Sequence, residues 1–159
     1  MFQTAKRFAR GWEEYEWRWK SDKHEAARIF PFPPWDGSDL DGKTILIWGE
    51  QGIGDEIMFA SMLPELISAA SHVILECEHR LVPLFRRSFR TLSVFPRKDP
   101  PVSGLMSATA DWQIPLGSLG RVLRPNLAAF SKRLSFLQPD AGTVAATRDR
   151  YAKLASGRR

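Results

Sequence analysis

Residues 44–56 read Thr-Ile-Leu-Ile-Trp-Gly-Glu-Gln-Gly-Ile-Gly-Asp-Glu, an apolar run that opens into a turn carrying three glycines and three carboxylates. A strand without polar alternation is what a sheet covered on both faces requires, so Thr44 to Trp48 is expected at the centre of a parallel sheet. Beyond the turn, Ile57, Met58, Met62, Leu66 and Ile67 recur at helical spacing. That periodicity predicts a helix from about Asp55 to Ala70 with these residues inward, and Pro64 allows a kink.

The same alternation continues outward. His72 to Glu78 reads as a second strand, Arg80 to Phe89 as a helix, Leu92 to Phe95 as a short third strand, and Trp112 to Leu116 as a fourth with a helix behind it. Strands separated by helices imply parallel pairing through right-handed crossovers, hence an α/β, Rossmann-like unit. Upstream, Phe8, Trp12, Tyr15 and Trp19 recur at spacings of four, three and four, which places four aromatics on one face of a helix from Gln3 to Lys20. So much apolar surface must pack on the domain or on a partner protein. Between helix and sheet, Pro31, Pro33 and Pro34 forbid helix and predict an extended connector. A last helix is expected from Asp140 to Leu154, capped by Asp140, with Val144, Tyr151 and Leu154 on a sparse apolar side.

Composition narrows the classes. The chain has 159 residues, 43% hydrophobic and 26% charged, with a net charge of +5. Its basic residues are scattered and accompany no nucleic-acid motif, so nucleic acid is not the expected partner. No apolar segment is long enough for a signal peptide or a membrane span. Cys77 is the single cysteine, so no internal disulfide can form, and a cytoplasmic location fits. His24, His72 and His79 lack metal-ligand spacing, and Ser38, Ser61 and Ser118 lack a nucleophile elbow. No metal or cofactor is called for.

The glycine turn is the most informative chemistry. In open α/β sheets the turn after the first strand floors the ligand crevice, and bare backbone ahead of a helix suits a phosphate. Gly52 and Gly54 begin a G-x-G-x-x-G pattern, but position 57 is Ile and no P-loop lysine follows. Glu76 or Glu78 after the second strand keeps a nicotinamide-dinucleotide site as an alternative. Glu50, Asp55 and Glu56 would repel a phosphate between them, so some serve another purpose. Asp55, as first residue of the helix, can cap it or act as a general base; spacing leaves both readings open. Trp35 and Trp112 can stack on a sugar or pack on the sheet.

The runs "GWEEYEWRW", "WDGSDLDGKTILIWGEQGIGDEIMFASMLPEL" and "DWQIPLGSLGRVL" resemble bacterial tetratricopeptide-repeat proteins that carry a C-terminal glycosyltransferase-like module, related to the heptosyltransferases and of GT-B type. The resemblance implies the N-terminal lobe of a two-lobed fold, facing the acceptor, with most of the nucleotide-sugar site on a second lobe. It implies Asp55 as general base, matching the family's Gly-Asp pair at Gly54-Asp55, and Glu50 and Gln51 match the family's "EQG" without an assigned role; from its place after the strand, the loop of Glu50, Gln51, Gly52, Ile53 and Gly54 is expected to contact a ligand. The implied division is 1–28 as the remnant of a terminal repeat helix, 29–43 as the Pro-rich connector, 44–138 as the Rossmann-like lobe and 139–159 as an interdomain-type helix and tail. Such a lobe is expected to be inactive alone. The alternative is a non-catalytic interaction module or a truncated gene product.

Overall fold

The computed structural model describes residues 2–20, 28–130 and 135–156. Residues 21–27, which include His24, residues 131–134 and the last three residues lie outside the described residues.

Four strands form one parallel sheet: β1 (Thr44–Trp48), β2 (His72–Cys77), β3 (Ser93–Pro96) and β4 (Trp112–Pro115), in the order β3-β2-β1-β4. The apolar run is central, with Ile47 opposite Leu75 on one side and Ile114 on the other. Burial follows position: β1 and β2 are buried beyond their first residues, whereas Val94 and Ile114 are the buried residues of the edge strands. Alternation along β1 splits the core. Ile45 and Ile47 join Leu75, Val94 and Ile114 on one face, while Leu46, Trp48, Ile74, Leu105 and Phe30 pack on the other.

The helices are α1 (Phe2–Tyr15), α2 (Ile53–Phe59), α3 (Leu63–Ala69), α4 (Val82–Ser88), α5 (Ser103–Met106), α6 (Leu119–Leu123) and α7 (Ala141–Ser156). The long helix expected over 55–70 begins earlier and is interrupted by a 3-10 turn, Ala60–Met62, with Pro64 in the first turn of α3 where its missing N–H costs nothing. The tighter turn resets the phase. Met58, expected inward, is 56% exposed, and Phe59 takes the buried place. α5 was not foreseen; its Leu105 fills the second face.

α1 likewise ends before Lys20 and tightens into the 3-10 turn Glu16–Lys20. Trp12 and Tyr15 keep the expected stripe and pack on the first face, the Trp12 Nε1–H donating to the Arg124 carbonyl at 2.8 Å. Trp19 leaves the stripe: three residues per turn swing it to the other side of the sheet, 5.6 Å from Trp48 between ring centroids. The connector joins the sheet edge, since Trp35 N–H donates to the Gln113 carbonyl and Gln113 N–H to the Pro33 carbonyl, at 2.8 and 2.9 Å. Trp35 and Leu40 are buried in the core. Asp140 caps α7 through the Thr143 amide and hydroxyl, as its position predicts, but Val144, Tyr151 and Leu154 all remain exposed. Among the described residues no helix is long and apolar enough to cross a membrane.

Candidate functional site at the carboxyl edge of the sheet

The turn after β1 is shaped by where its acids go. Gly49 N–H donates to the Glu76 carbonyl at 2.7 Å and so carries the β1–β2 ladder one residue further. Glu56 folds back beneath the turn, and its carboxylate fills the space a Cβ on Gly49 would need. Its Oε2 accepts the Glu78 N–H at 2.8 Å, and Arg97 Nη2 lies 3.7 Å from its Oε1. Burial pushes the Glu56 carboxyl up to about 7 despite the Glu78 amide and Arg97, which act the other way. Glu56 is therefore a buried brace between the turn and the end of β2.

Glu50 is also committed. Its Oε1 accepts from Arg18 Nη2 and from the Gly117 N–H, both at 3.1 Å. The Arg18 guanidinium also donates to Ser118 Oγ at 2.7 Å and stacks 4.2 Å from the Tyr15 ring centroid. These groups converge at the crevice between β1 and β4, where the strand order reverses and where ligands of open α/β sheets usually sit. Gln51 is held at both ends, its side-chain oxygen accepting from the Tyr15 hydroxyl at 2.7 Å and its carbonyl from Arg97 at 3.3 Å.

Asp55 has a different fate. It is the third residue of α2, not the first; Gly52 stands at the N-cap in extended conformation with no side-chain cap, so the capping role drawn from sequence does not hold. Asp55 is half-buried and makes no hydrogen bond among the described residues. Ile53 begins α2 half-buried against the core, and Gly54 is exposed with nothing within 4 Å of a Cβ built on it. Gly49, Gly52 and Gly54 all have ordinary backbone angles, since positive φ occurs among the described residues at Gly37 and Gly42 only. Gly49 supplies clearance for the Glu56 carboxylate rather than unusual bending, whereas Gly54 is required for neither.

A cleft of about 450 Å³ opens beside this turn, lined by Arg28, Trp48, Gly49, Glu50, Arg97, Lys98 and Asp99. Of the residues predicted from sequence, Glu50 lines it; Gln51, Gly52, Ile53, Gly54 and Asp55 do not. Arg28, Arg97 and Lys98 were missed. The available signal was the basic pair directly after β3, at the carboxyl edge where α/β sheets place their chemistry.

The chain is similar to protein FlbA of Caulobacter vibrioides. The two are 37% identical over 164 aligned positions, which take in 95% of this chain and 28% of FlbA. The chain thus spans 28% of the length of this curated relative. No protein-family model matches the sequence, and no solved structure matches it. The FlbA alignment covers the glycine turn within its near-complete span of this chain but brings no activity with it.

The remaining candidates resolve into packing. Glu76 is wholly buried and paired with Arg28 at 2.7 Å, so it is not presented to a ribose; burial raises its carboxyl to about 7. Glu78 pairs with His79 and Arg80. Burial pushes the Cys77 thiol up to about 12, which makes it inert. His72 meets Ser93 Oγ at 3.0 Å, Ser118 serves Arg18 and Glu16, and Trp112 packs half-buried against the first face.

Proposed function

We propose that this chain is the acceptor-side lobe of a GT-B, glycosyltransferase-like protein of the tetratricopeptide-repeat type, acting in the cytoplasm. The observation that supports it best is the division of labour among the three acids of the glycine turn. Glu50 and Glu56 are consumed by Arg18, Gly117 and Glu78, whereas Asp55 stays half-buried and without a hydrogen bond among the described residues. In the proposed chemistry Asp55 takes the proton of an acceptor hydroxyl as that oxygen bonds to the anomeric carbon of a nucleotide sugar. The bond to the diphosphate breaks, and its electron pair leaves with the nucleotide. The donor is held mainly by a second lobe, so this lobe alone is not expected to turn over.

The test is Asp55→Asn in a complete two-lobed version. Folding and donor binding are expected to stay unchanged while turnover falls about 10²–10⁴-fold, the usual contribution of a general base. Unchanged turnover would reduce Asp55 to an acid that favours the first turn of a helix electrostatically.

A second reading, a non-catalytic interaction module, is favoured by the apolar face of α1. Phe8, Gly11, Trp12 and Tyr15, with Arg7, line a groove of about 460 Å³, and Trp17 is 63% exposed beyond it. Gel filtration combined with nucleotide-sugar titration separates the readings. Self-association without nucleotide binding in the two-lobed protein supports the module; a monomer that binds the donor supports the transferase.

A further inference from the structure

We infer that the cleft between the ends of β1 and β3 is an oxyanion site that takes the single phosphoryl group of a small phosphorylated ligand. Three cations reach it from two separate segments, Arg28 from just ahead of the connector and Arg97 with Lys98 from the end of β3. Chain segments far apart in sequence bring these charges to one concave place.

The guanidiniums are held from below. Glu76, fully buried, anchors Arg28 Nη2 at 2.7 Å, and the same nitrogen donates to the Lys98 carbonyl at 2.5 Å. Arg28 is thereby tied to the backbone of the β3 end, while its buried Nε has no hydrogen-bond partner among the described residues. Arg97 lies 3.7 Å from Glu56 and 4.0 Å from Glu78, which fix its side chain at the opposite wall. Lys98 is exposed and in no ion pair among the described residues. Two guanidiniums braced by buried carboxylates and one exposed ammonium form a donor set suited to phosphate oxygens.

Shape agrees with charge. Gly49 contributes bare backbone to the lining, because the Glu56 carboxylate leaves no room for a Cβ there. The cleft, about 450 Å³, lies within the range of small-molecule sites and exceeds what a lone phosphate fills. Glu50 and Asp99 bring two carboxylates to the lining. Their charge offsets part of the cationic field and favours one phosphoryl group over a diphosphate. Glu50 is itself compensated by Arg18 and the Gly117 amide. Asp55 plays no part in this cleft, so the site stands or falls independently of the transferase reading.

The experiment is titration calorimetry of the full chain with inorganic phosphate, glucose 1-phosphate and glucose, at fixed ionic strength. Saturable binding of glucose 1-phosphate, tighter than that of phosphate and absent for glucose, is expected. Lys98→Ala, an exposed change whose fold is checked by circular dichroism, should weaken it about tenfold, as loss of a charged hydrogen bond does. Arg28→Gln should weaken it at least as much, and Arg148→Ala, on exposed α7, should leave it unchanged. Equal binding of phosphate and glucose 1-phosphate would overturn the small-ligand half of the proposal. Binding that does not saturate in the millimolar range, or that Arg148→Ala weakens as much as Lys98→Ala does, would overturn all of it.

Discussion

Gly49 and Gly54 stand five positions apart in one turn for different physical reasons. At Gly49 the Glu56 carboxylate occupies the Cβ position, so Gly49→Ala should destabilise the fold by about 1–3 kcal/mol through overpacking, read as a lower urea midpoint. At Gly54 a Cβ meets nothing, and the residue sits inside α2. Gly54→Ala should therefore raise stability by up to about 1 kcal/mol, the ordinary helix gain of alanine over glycine. If ligand approach requires the bare turn, the same variant loses acceptor binding in the two-lobed protein while melting higher. That opposite movement separates a functional glycine from a structural one. The acids of this turn were legible in the sequence as a group, but their separate roles were not. Which carboxylate reaches Arg18, which reaches the Glu78 amide and which stays open depends on residues dozens of positions away.

At the scale of elements, α1 is docked by shape as much as by apolar area. The Trp12 ring lies where a Cβ on Gly120 would be, at the start of α6. Gly120→Ala should push α1 away and cost about 1–3 kcal/mol, with a red-shifted tryptophan emission as Trp12 meets water. The strand and helix alternation was readable because β1 and β2 are buried on both faces and are apolar along most of their length, with Glu76 the one charged residue buried inside them. Ends and phases were less readable. Both long helical patterns were broken by 3-10 turns, at Glu16–Lys20 and at Ala60–Met62, and each turn re-aimed a large side chain. Trp19 moved to the second face, and Met58 moved to solvent. Periodicity at 3.6 residues cannot announce such a turn, since tertiary packing selects it. α5 escaped because four residues with one buried leucine leave no periodic trace.

For the whole molecule, the buried carboxylates beneath the cleft tie stability to pH. Glu56 and Glu76 both titrate near 7 in the folded chain against 4.5 as ordinary carboxyls, with burial as the main cause. The folded state thus holds their protons more tightly than the unfolded chain. Their contribution is fully present below about pH 4.5 and is lost as pH rises through about 7. Chemical denaturation should show a loss on the order of a few kcal/mol between pH 5 and pH 8, and Glu56→Gln or Glu76→Gln should flatten that slope. Asp36, Glu78, Asp111 and Asp140 work the other way, their carboxyls held low by local hydrogen bonds, and withdraw stability only as pH falls below the carboxylate range. A parallel sheet around the Thr44–Trp48 run, and the glycine turn at its carboxyl edge, were determined by the sequence itself, because hydrophobic continuity and local chain geometry are properties of neighbouring residues. The joining of Glu50 and Ser118 by Arg18 at the β1–β4 crevice, and the meeting of Arg28 with Arg97 and Lys98 over buried Glu76, were decided by the tertiary structure alone. A long charged side chain finds its partner in space, and nothing in its own neighbourhood along the chain names that partner.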